Sequence, residues 1–227
     1  ADVVTSIAMF YDLQDPFTFA KDVEKVLDDN GIWVLQLSYT PLMVKQLAFD
    51  NICHEHIYYY SLLTLKNLFN QCGLEILDCQ LNATNGGSFR VYAMKQTADF
   101  SRFGSQPYRD VAAFRVQSTL AYEQEKNYNS QEIWQDFYTR LSSLKQQTVD
   151  FIKQVRSQGK TVFGYGASTK GNTLLQYFGL DHTMIDAIAE CSKYKFGLNT
   201  VGTNIPIVSE QQMRSVRPDY LLVLPWH

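Results

Sequence analysis

The segment from Asp2 to Phe10 reads DVVTSIAMF, an apolar and β-branched run of strand length. It shows no apolar stripe at helical spacing, so it predicts a buried strand of a parallel sheet. Phe17 to Leu27 then places apolar residues along one side of a helix, and Gly31 is a favourable residue for ending it. Ile32 to Leu37 (IWVLQL) predicts a second strand. A strand, a helix and a strand in this order predict a right-handed crossover within an α/β domain.

A helix and a hairpin are predicted to complete this first sheet. Ser61 is a favourable N-cap for a helix over Leu62 to Gln71. Leu74 to Leu81 and Phe89 to Met94 have the composition of strands. The segment between them, Asn82 to Ser88, contains Asn-Gly and Gly-Gly, which favour a tight turn between antiparallel strands.

A polar segment over residues 97–107 marks a predicted domain boundary. Tyr108 to Lys126 and Ser130 to Ser157 predict two long helices, interpreted as a helical connector. The α/β pattern then resumes with strands at Lys160 to Phe163, Ile185 to Ala189, Ile205 to Val208 and Asp219 to Leu224. The predicted domains are a first α/β unit (1–96), a helical connector (97–157) and a second α/β unit (158–227).

The composition excludes several classes of protein. Of the 227 residues, 45% are hydrophobic and 19% charged, with a formal net charge of −3, as in ordinary globular domains. This charge argues against a nucleic-acid partner. No apolar run is long enough for a membrane span and no signal peptide opens the chain, so we expect no membrane partner and a cytoplasmic location. The four cysteines show no Cys-x-x-Cys spacing, so reduced thiols and no metal site are predicted.

The segment Asp50 to Tyr60, DNICHEHIYYY, concentrates groups that can transfer protons. In an extended backbone His54 and His56 would lie on one side and Glu55 on the other. Such a pair suits a metal, although no third ligand is evident, and structural histidines are a further alternative. General acid and base chemistry is favoured because histidine titrates near neutral pH beside a carboxylate, and phenols such as Tyr59 can donate to an oxyanion.

The turn from Gly164 to Gly171 reads GYGASTKG and leads from a strand into a predicted helix at Asn172 to Phe178. Backbone N–H groups of such a turn, together with the helix N-terminus, attract anions. The spacing matches neither the dinucleotide fingerprint nor a P-loop. Phosphate binding and a merely tight turn therefore both remain open, and Lys170 favours phosphate.

Five motifs resemble, in order, those of the sugar C-methyltransferases. They are SIAMFYDLQDPFTF (6–19), CHEHIYYYS (53–61), NGGSFRVYAM (85–94), GYGASTKGNTLLQYFG (164–179) and PDYLLVLPW (218–226). The resemblance covers essentially the whole chain. It implies an S-adenosylmethionine-dependent enzyme that methylates a carbon next to the ketone of a keto-deoxysugar linked to a nucleoside diphosphate.

The resemblance also implies an architecture. In that family a zinc-binding N-terminal domain precedes a class I methyltransferase domain and a Rossmann-like domain for the nucleotide-sugar. This chain resembles the last half of the middle domain plus the C-terminal domain, so a partial Rossmann-like sheet, a helical connector and a second Rossmann-like α/β domain are expected. The zinc cysteines and the glycine-rich loop for S-adenosylmethionine would lie upstream, and a fragment of this extent is expected to be inactive. The oligomeric state stays open.

Carried over by position, the resemblance makes His56 the base that forms an enolate and Glu55 its partner, with His54 and Tyr59 as further catalytic candidates. The substrate-binding candidates are Asn85, Gly86, Gly87, Ser88, Gly164, Gly166, Ser168, Thr169, Lys170, Asn172 and Lys195. No cofactor-binding residue is assigned within the chain. A non-catalytic nucleotide-sugar-binding module with structural histidines is the main alternative, and a metal-dependent hydrolase is a third.

Overall fold

A computed structural model describes residues 1–224 and divides them into two compact units. The first unit comprises Ala1–Gln46 and His54–Trp134, and the second comprises Leu47–Cys53 and the residues from Gln135 onward. The short segment Leu47–Cys53 thus belongs to the second unit, although the residues on both sides of it belong to the first.

The first unit is a four-stranded sheet with helices. Its elements are β1 (Val3–Ile7), α1 (Pro16–Val26), β2 (Ile32–Ser38), α2 (Thr40–Gln46), α3 (Leu62–Gln71), β3 (Leu74–Asn82), β4 (Ser88–Lys95) and α4 (Gln106–Lys126). The strand order is β1-β2-β4-β3. β1 pairs with β2 in parallel, whereas β4 is antiparallel to both of its neighbours. The predicted strand, helix, strand unit and the predicted hairpin are confirmed, and the right-handed sense of the crossover stays a prediction.

Alternation along β2 builds the core of this unit. Trp33 and Leu35 are fully buried and Leu37 nearly so, and they belong to a cluster that includes residues of α1 and α3. The Trp33 indole N–H donates to the Ser6 hydroxyl at 3.0 Å, which satisfies a buried polar group. The helix predicted after Ser61 is confirmed, with a capping box between Ser61 and Thr64.

One expectation for the first unit is wrong, and two of its short helices were not predicted. β1 was expected to be buried, but it is an edge strand in which Val3 and Ile7 are 60% and 55% exposed. β-branched composition predicts a strand without specifying its place in the sheet. The segment after β2, for which no element was predicted, forms α2 and a 3₁₀ helix at Phe49–Asn51.

The two predicted connector helices are present as α4 and α5 (Gln131–Ser157). α4 packs against β3 and α3 of the first unit, and most of α5 belongs to the second unit. The boundary between the compact units therefore lies near residue 134. The predicted three-part division into functional domains stays a prediction.

The second unit contains a four-stranded sheet in which all the strands are parallel. After α5 its elements are β5 (Val162–Tyr165), α6 (Thr169–Phe178), β6 (Ala187–Glu190), β7 (Ile207–Ser209), α7 (Glu210–Val216) and β8 (Tyr220–Val223). The order β7-β6-β5-β8 is the 3-2-1-4 arrangement of a doubly wound Rossmann-like sheet. The predicted Rossmann-like fold class is confirmed. Pro225 and Trp226, which end the last quoted motif, lie outside the described residues.

Within residues 1–224, no helix combines the length and the apolar character that crossing a bilayer requires.

Candidate functional site

The residues around His56 are held against the segment that follows β1. The backbone carbonyl of Tyr11 accepts hydrogen bonds from the N–H groups of Ile57 at 2.9 Å and Tyr58 at 3.0 Å. The rings of Tyr11 and His56 pack with their centroids 4.4 Å apart. The half-buried imidazole is thus fixed beside the carboxyl end of the first strand.

One carboxyl group, that of Asp12, interacts electrostatically with His56, and it also interacts with the Glu55 carboxyl group. Desolvation raises the pKa of Asp12, the His56 imidazole lowers it, and Glu55 raises it. Asp12 is therefore a charged neighbour of His56 that the sequence prediction missed. The only signal was its place within the motif at residues 6–19, because nothing in local spacing connects it with His56.

The other catalytic candidates have different surroundings. His54 is highly exposed, and its Nε2 atom lies 3.7 Å from the Glu55 carboxylate. The Tyr59 hydroxyl donates to the backbone carbonyl of His56 at 3.3 Å. Tyr59 therefore supports the backbone at His56, and Glu55 faces His54. Among residues 1–224, no cluster of three or more His, Cys, Asp or Glu side chains could hold a metal ion.

The loop Asn85–Ser88 lies at the end of the first sheet where β1 and β2 finish. Ser88 pairs with Ser38, the last residue of β2, and β1 runs parallel to β2. The loop therefore lies at the same end of the sheet as the residues that follow β1. Asn85 is exposed, with a left-handed φ of 53°.

The other members of this loop have structural roles. The Ser88 hydroxyl is buried and donates to the Thr84 carbonyl at 2.8 Å. Gly87 has a φ of 132° and packs so closely on Leu42 that an added Cβ would lie 3.0 Å from its side chain. Asn85 and Gly86 are therefore the loop residues with the best access to a ligand.

The glycine-rich turn of the second unit follows β5 and leads into α6. Gly166 has a φ of 89°, and its N–H donates to Ala189 at 2.8 Å. The Ser168 hydroxyl caps α6 by accepting the Gly171 N–H at 3.0 Å. Gly164 is buried within β5, whereas Thr169 is exposed and Asn172 half-buried on the first turns of α6. The turn thus places a capped helix N-terminus at the carboxyl end of the first strand, where doubly wound sheets bind ligands.

Lys170 is partly desolvated beside two residues of the segment Leu47–Cys53. Burial lowers the pKa of Lys170, while Asp50 and Cys53 raise it. Phe49 fixes this segment on α6 by stacking on Phe178, with ring centroids 5.3 Å apart and an angle of 14°. The segment Asp50–Tyr60 is therefore divided, since its first residues belong with Lys170 and the second unit.

Lys195 also reaches the glycine-rich turn. Its ammonium group donates to the Ala167 carbonyl at 2.7 Å and lies 3.6 Å from the Glu190 carboxylate. Glu190, which was not predicted as a site residue, accepts the Ala167 N–H at 2.9 Å. In the second unit, the predicted residues of the turn thus lie together with Lys170 and Lys195 at the carboxyl end of the parallel strands. Their roles in binding stay predictions.

Comparison with known proteins identifies the family. Residues 83–227 match the family model of the C-methyltransferase C-terminal domain, and residues 1–78 match that of a methyltransferase domain. The chain belongs to the C-methyltransferase family. The family resemblance drawn from the sequence motifs is confirmed.

Two individual proteins show how far the similarity extends. The C-methyltransferase NovU of Streptomyces niveus is 32% identical over 218 residues, which cover 96% of this chain and 50% of that protein. The chain thus spans half the length of this relative. A chain from a solved complex of the Haloferax volcanii Trm112 methyltransferase activator with a methyltransferase aligns over 42% of this chain and 54% of that one, at 15% identity and a TM-score of 0.36. That likeness is too distant to bear on fold or function.

Proposed function

We propose that this C-methyltransferase chain acts, as part of an S-adenosylmethionine-dependent enzyme, on the carbon next to the ketone of a nucleoside-diphosphate keto-deoxysugar. The observation that carries the proposal is the half-buried His56 imidazole, packed on Tyr11 and in electrostatic interaction with the Asp12 carboxyl group. An imidazole can take a proton near neutral pH, and nearby carboxylates favour the protonated form.

In the proposed reaction His56 removes the proton next to the ketone. The electron pair of the C–H bond moves into the enolate, and the imidazolium that forms is stabilised by Asp12 and Glu55. Asn85, at the same edge of the sheet, is a candidate donor to the enolate oxygen. S-adenosylmethionine, when bound, supplies the electrophilic methyl group. No residue of this chain is assigned to hold it, and none is assigned to the zinc that the family resemblance implies.

The second unit would bind the nucleotide part of the substrate. The diphosphate of a nucleotide-sugar is a diester with two negative charges at neutral pH, which suits a helix N-terminus after a glycine-rich turn. Lys170 adds a positive charge whose partial burial strengthens its attraction for phosphate. Asn172, on the first turns of α6, can donate an amide hydrogen bond.

The test is His56→Ala in the full-length enzyme, with His54→Ala as the matched control because His54 is highly exposed. Exchange of the substrate proton into D₂O, followed by NMR without a methyl donor, isolates proton abstraction from methyl transfer. We expect His56→Ala to slow exchange by about 10²–10⁴-fold while nucleoside-diphosphate binding persists, as removal of a general base does.

Near-normal exchange in His56→Ala would show that another group is the base. Nucleotide-sugar binding without exchange in the wild-type enzyme would instead favour the binding-module alternative. Equal losses in the His54 and His56 variants would indicate a general disturbance of this segment.

A further inference from the structure

Glu190, the last residue of β6, directs its carboxylate at backbone N–H groups of two different loops. One oxygen, Oε2, accepts the Ala167 N–H of the glycine-rich turn at 2.9 Å. The other, Oε1, accepts the N–H groups of Cys191 at 2.7 Å and Ser192 at 3.0 Å, in the loop after β6. One side chain therefore ties the turn after the first strand to the loop after the second.

Lys195 completes this connection from the loop after β6. Its ammonium group donates to the Ala167 carbonyl at 2.7 Å. The Ala167 N–H is thus bound by a side chain at the end of β6, and the Ala167 C=O by a side chain from the loop that follows. Ala167 therefore makes two hydrogen bonds to charged side chains. Such bonds are stronger than those between neutral groups, so they restrict the conformation of the turn.

The surroundings of Glu190 favour its charged form. Burial alone would raise the pKa of Glu190, but the hydrogen bonds from the Ser192, Cys191 and Ala167 N–H groups and the charge of Lys195 lower it overall. Glu190 is therefore a carboxylate at neutral pH. Such a negative charge beside an anion-binding turn would repel phosphate, and Lys195, at 3.6 Å, offsets it.

We infer that Glu190 and Lys195 form a clamp that positions the glycine-rich turn for the diphosphate of the nucleotide-sugar. Both are positioning residues that act through Ala167, so Lys195, predicted as a ligand contact, acts on the turn instead. Because Glu190 occupies the Ala167 N–H, the groups that remain to bind the diphosphate are the N-terminus of α6 and Lys170. This inference rests on the proposed nucleotide-sugar substrate.

The clamp predicts that its removal weakens nucleotide binding without slowing the chemical step. Glu190→Gln preserves shape but loses the charge and one of the two acceptor oxygens. We expect roughly a tenfold weaker affinity for thymidine diphosphate by calorimetry, corresponding to about one lost charge-assisted bond. In turnover of the nucleotide-sugar, KM should rise by a similar factor while kcat stays unchanged, because His56 is not altered.

Lys195 provides the second variant and a rescue. Lys195→Met leaves the Glu190 carboxylate without its offsetting charge, so thymidine diphosphate binding should weaken more at low salt than at high salt. Lys195→Arg keeps the charge and a donor and should restore most of the affinity. The control is Lys160→Met. Lys160 lies just before β5 and forms an ion pair with Asp219, and its loss should leave the affinity for thymidine diphosphate unchanged.

The outcomes separate the two proposals. If the wild-type enzyme does not bind thymidine diphosphate or uridine diphosphate, the nucleotide-sugar proposal and the clamp both fall. If it binds and the Glu190→Gln and Lys195→Met variants bind equally well, the clamp alone is wrong. A fall in kcat at unchanged KM would also overturn it, because that would place these residues in the chemical step. Should Glu190→Gln not fold, the partly exposed Lys195 carries the same test.

Discussion

At the scale of single residues, the ion pair between Asp78 and Arg115 joins β3 to α4 in the first unit. Asp78 is completely buried, and both of its carboxylate oxygens accept from Arg115, at 2.7 Å and 2.6 Å. Burial alone would raise the pKa of Asp78, but the hydrogen bonds from Arg115 and Gln80 lower it overall. A buried carboxylate that loses its partner cannot recover its hydration, so the pair is costly to break.

We therefore expect Arg115→Ala to lower the free energy of unfolding by about 3–5 kcal/mol, as measured by urea denaturation. The matched control is Lys25→Ala on α1 of the same unit, which breaks an exposed i,i+3 pair with Asp22 and should change the stability little. Similar losses in both variants would contradict a special role for the buried pair.

The pH dependence gives a second readout of the same pair. Because the folded-state pKa of Asp78 lies below its ordinary value of 3.8, its contribution to stability is fully present above that value. It is lost as the pH falls below 3.8 towards the lowered pKa. In Arg115→Ala the pKa of Asp78 should rise, which narrows this pH window from below, so the acid-induced loss of stability that Asp78 causes should become smaller.

At the scale of elements, α4 caps the N-terminus of α3. Glu123 is buried, and its Oε1 accepts both the Leu62 N–H and the Tyr39 hydroxyl at 2.7 Å, while its Oε2 accepts the Leu63 N–H at 2.8 Å. Together with the Ser61 capping box, this carboxylate satisfies N–H groups that begin the helix and would otherwise lack partners. The start of α3 is thus capped both by the adjacent Ser61 and by Glu123 of α4.

Replacing Glu123 by Gln should destabilise the first unit by about 1–3 kcal/mol, because one of the acceptor oxygens becomes a donor facing buried N–H groups. Relative to the wild type, the rate of hydrogen exchange should increase more at the Leu62 and Leu63 amides than elsewhere in α3. Glu125→Gln is the control, since Glu125 is exposed beside Lys126. Unchanged protection of these two amides would show that the Ser61 box suffices.

Elements were predictable where their signals are local. Ser61 and the Asn-Gly pair marked α3 and the β3–β4 hairpin because caps and turns depend on a few adjacent residues. The edge position of β1 and the cap supplied by Glu123 depend on residues distant in sequence, which local patterns do not encode. The same holds for the site: His56 and the glycine-rich turn stood out as motifs, whereas Asp12 and Glu190 gained their roles only through folding.

At the scale of the whole molecule, compact units and family models divide the chain at different places. The match to the methyltransferase domain ends at residue 78, and that to the C-terminal domain begins at residue 83, within or beside β3. β4 lies between β2 and β3 in the first sheet, so a cut at this boundary would remove a central strand. A fragment that ends near residue 82 would expose unpaired backbone on β2 and β3, and it should not fold as an independent domain.

The segment Leu47–Cys53 makes the stability of the second unit depend on residues from the first half of the chain. Phe49 is 6% exposed and packs its ring on Phe178 and Tyr177, with centroids 5.3 Å and 5.4 Å away. These contacts place the segment along α6, the helix whose N-terminus follows the glycine-rich turn. Loss of the Phe49 ring would leave a cavity against α6 that the surrounding side chains fill only in part.

Phe49→Ala should therefore destabilise the second unit by about 3–5 kcal/mol, as a buried Phe→Ala change does. Phe151→Ala is the matched control in the same unit, because Phe151 is 49% exposed. Hydrogen exchange should show lost protection in α6 and β5, with protection in β1 to β4 retained. Thymidine diphosphate binding should weaken too, because Phe49 supports α6, the helix that follows the glycine-rich turn. Lost protection confined to residues 47–53, with α6 unaffected, would show that the segment only rests on the second unit and does not support it.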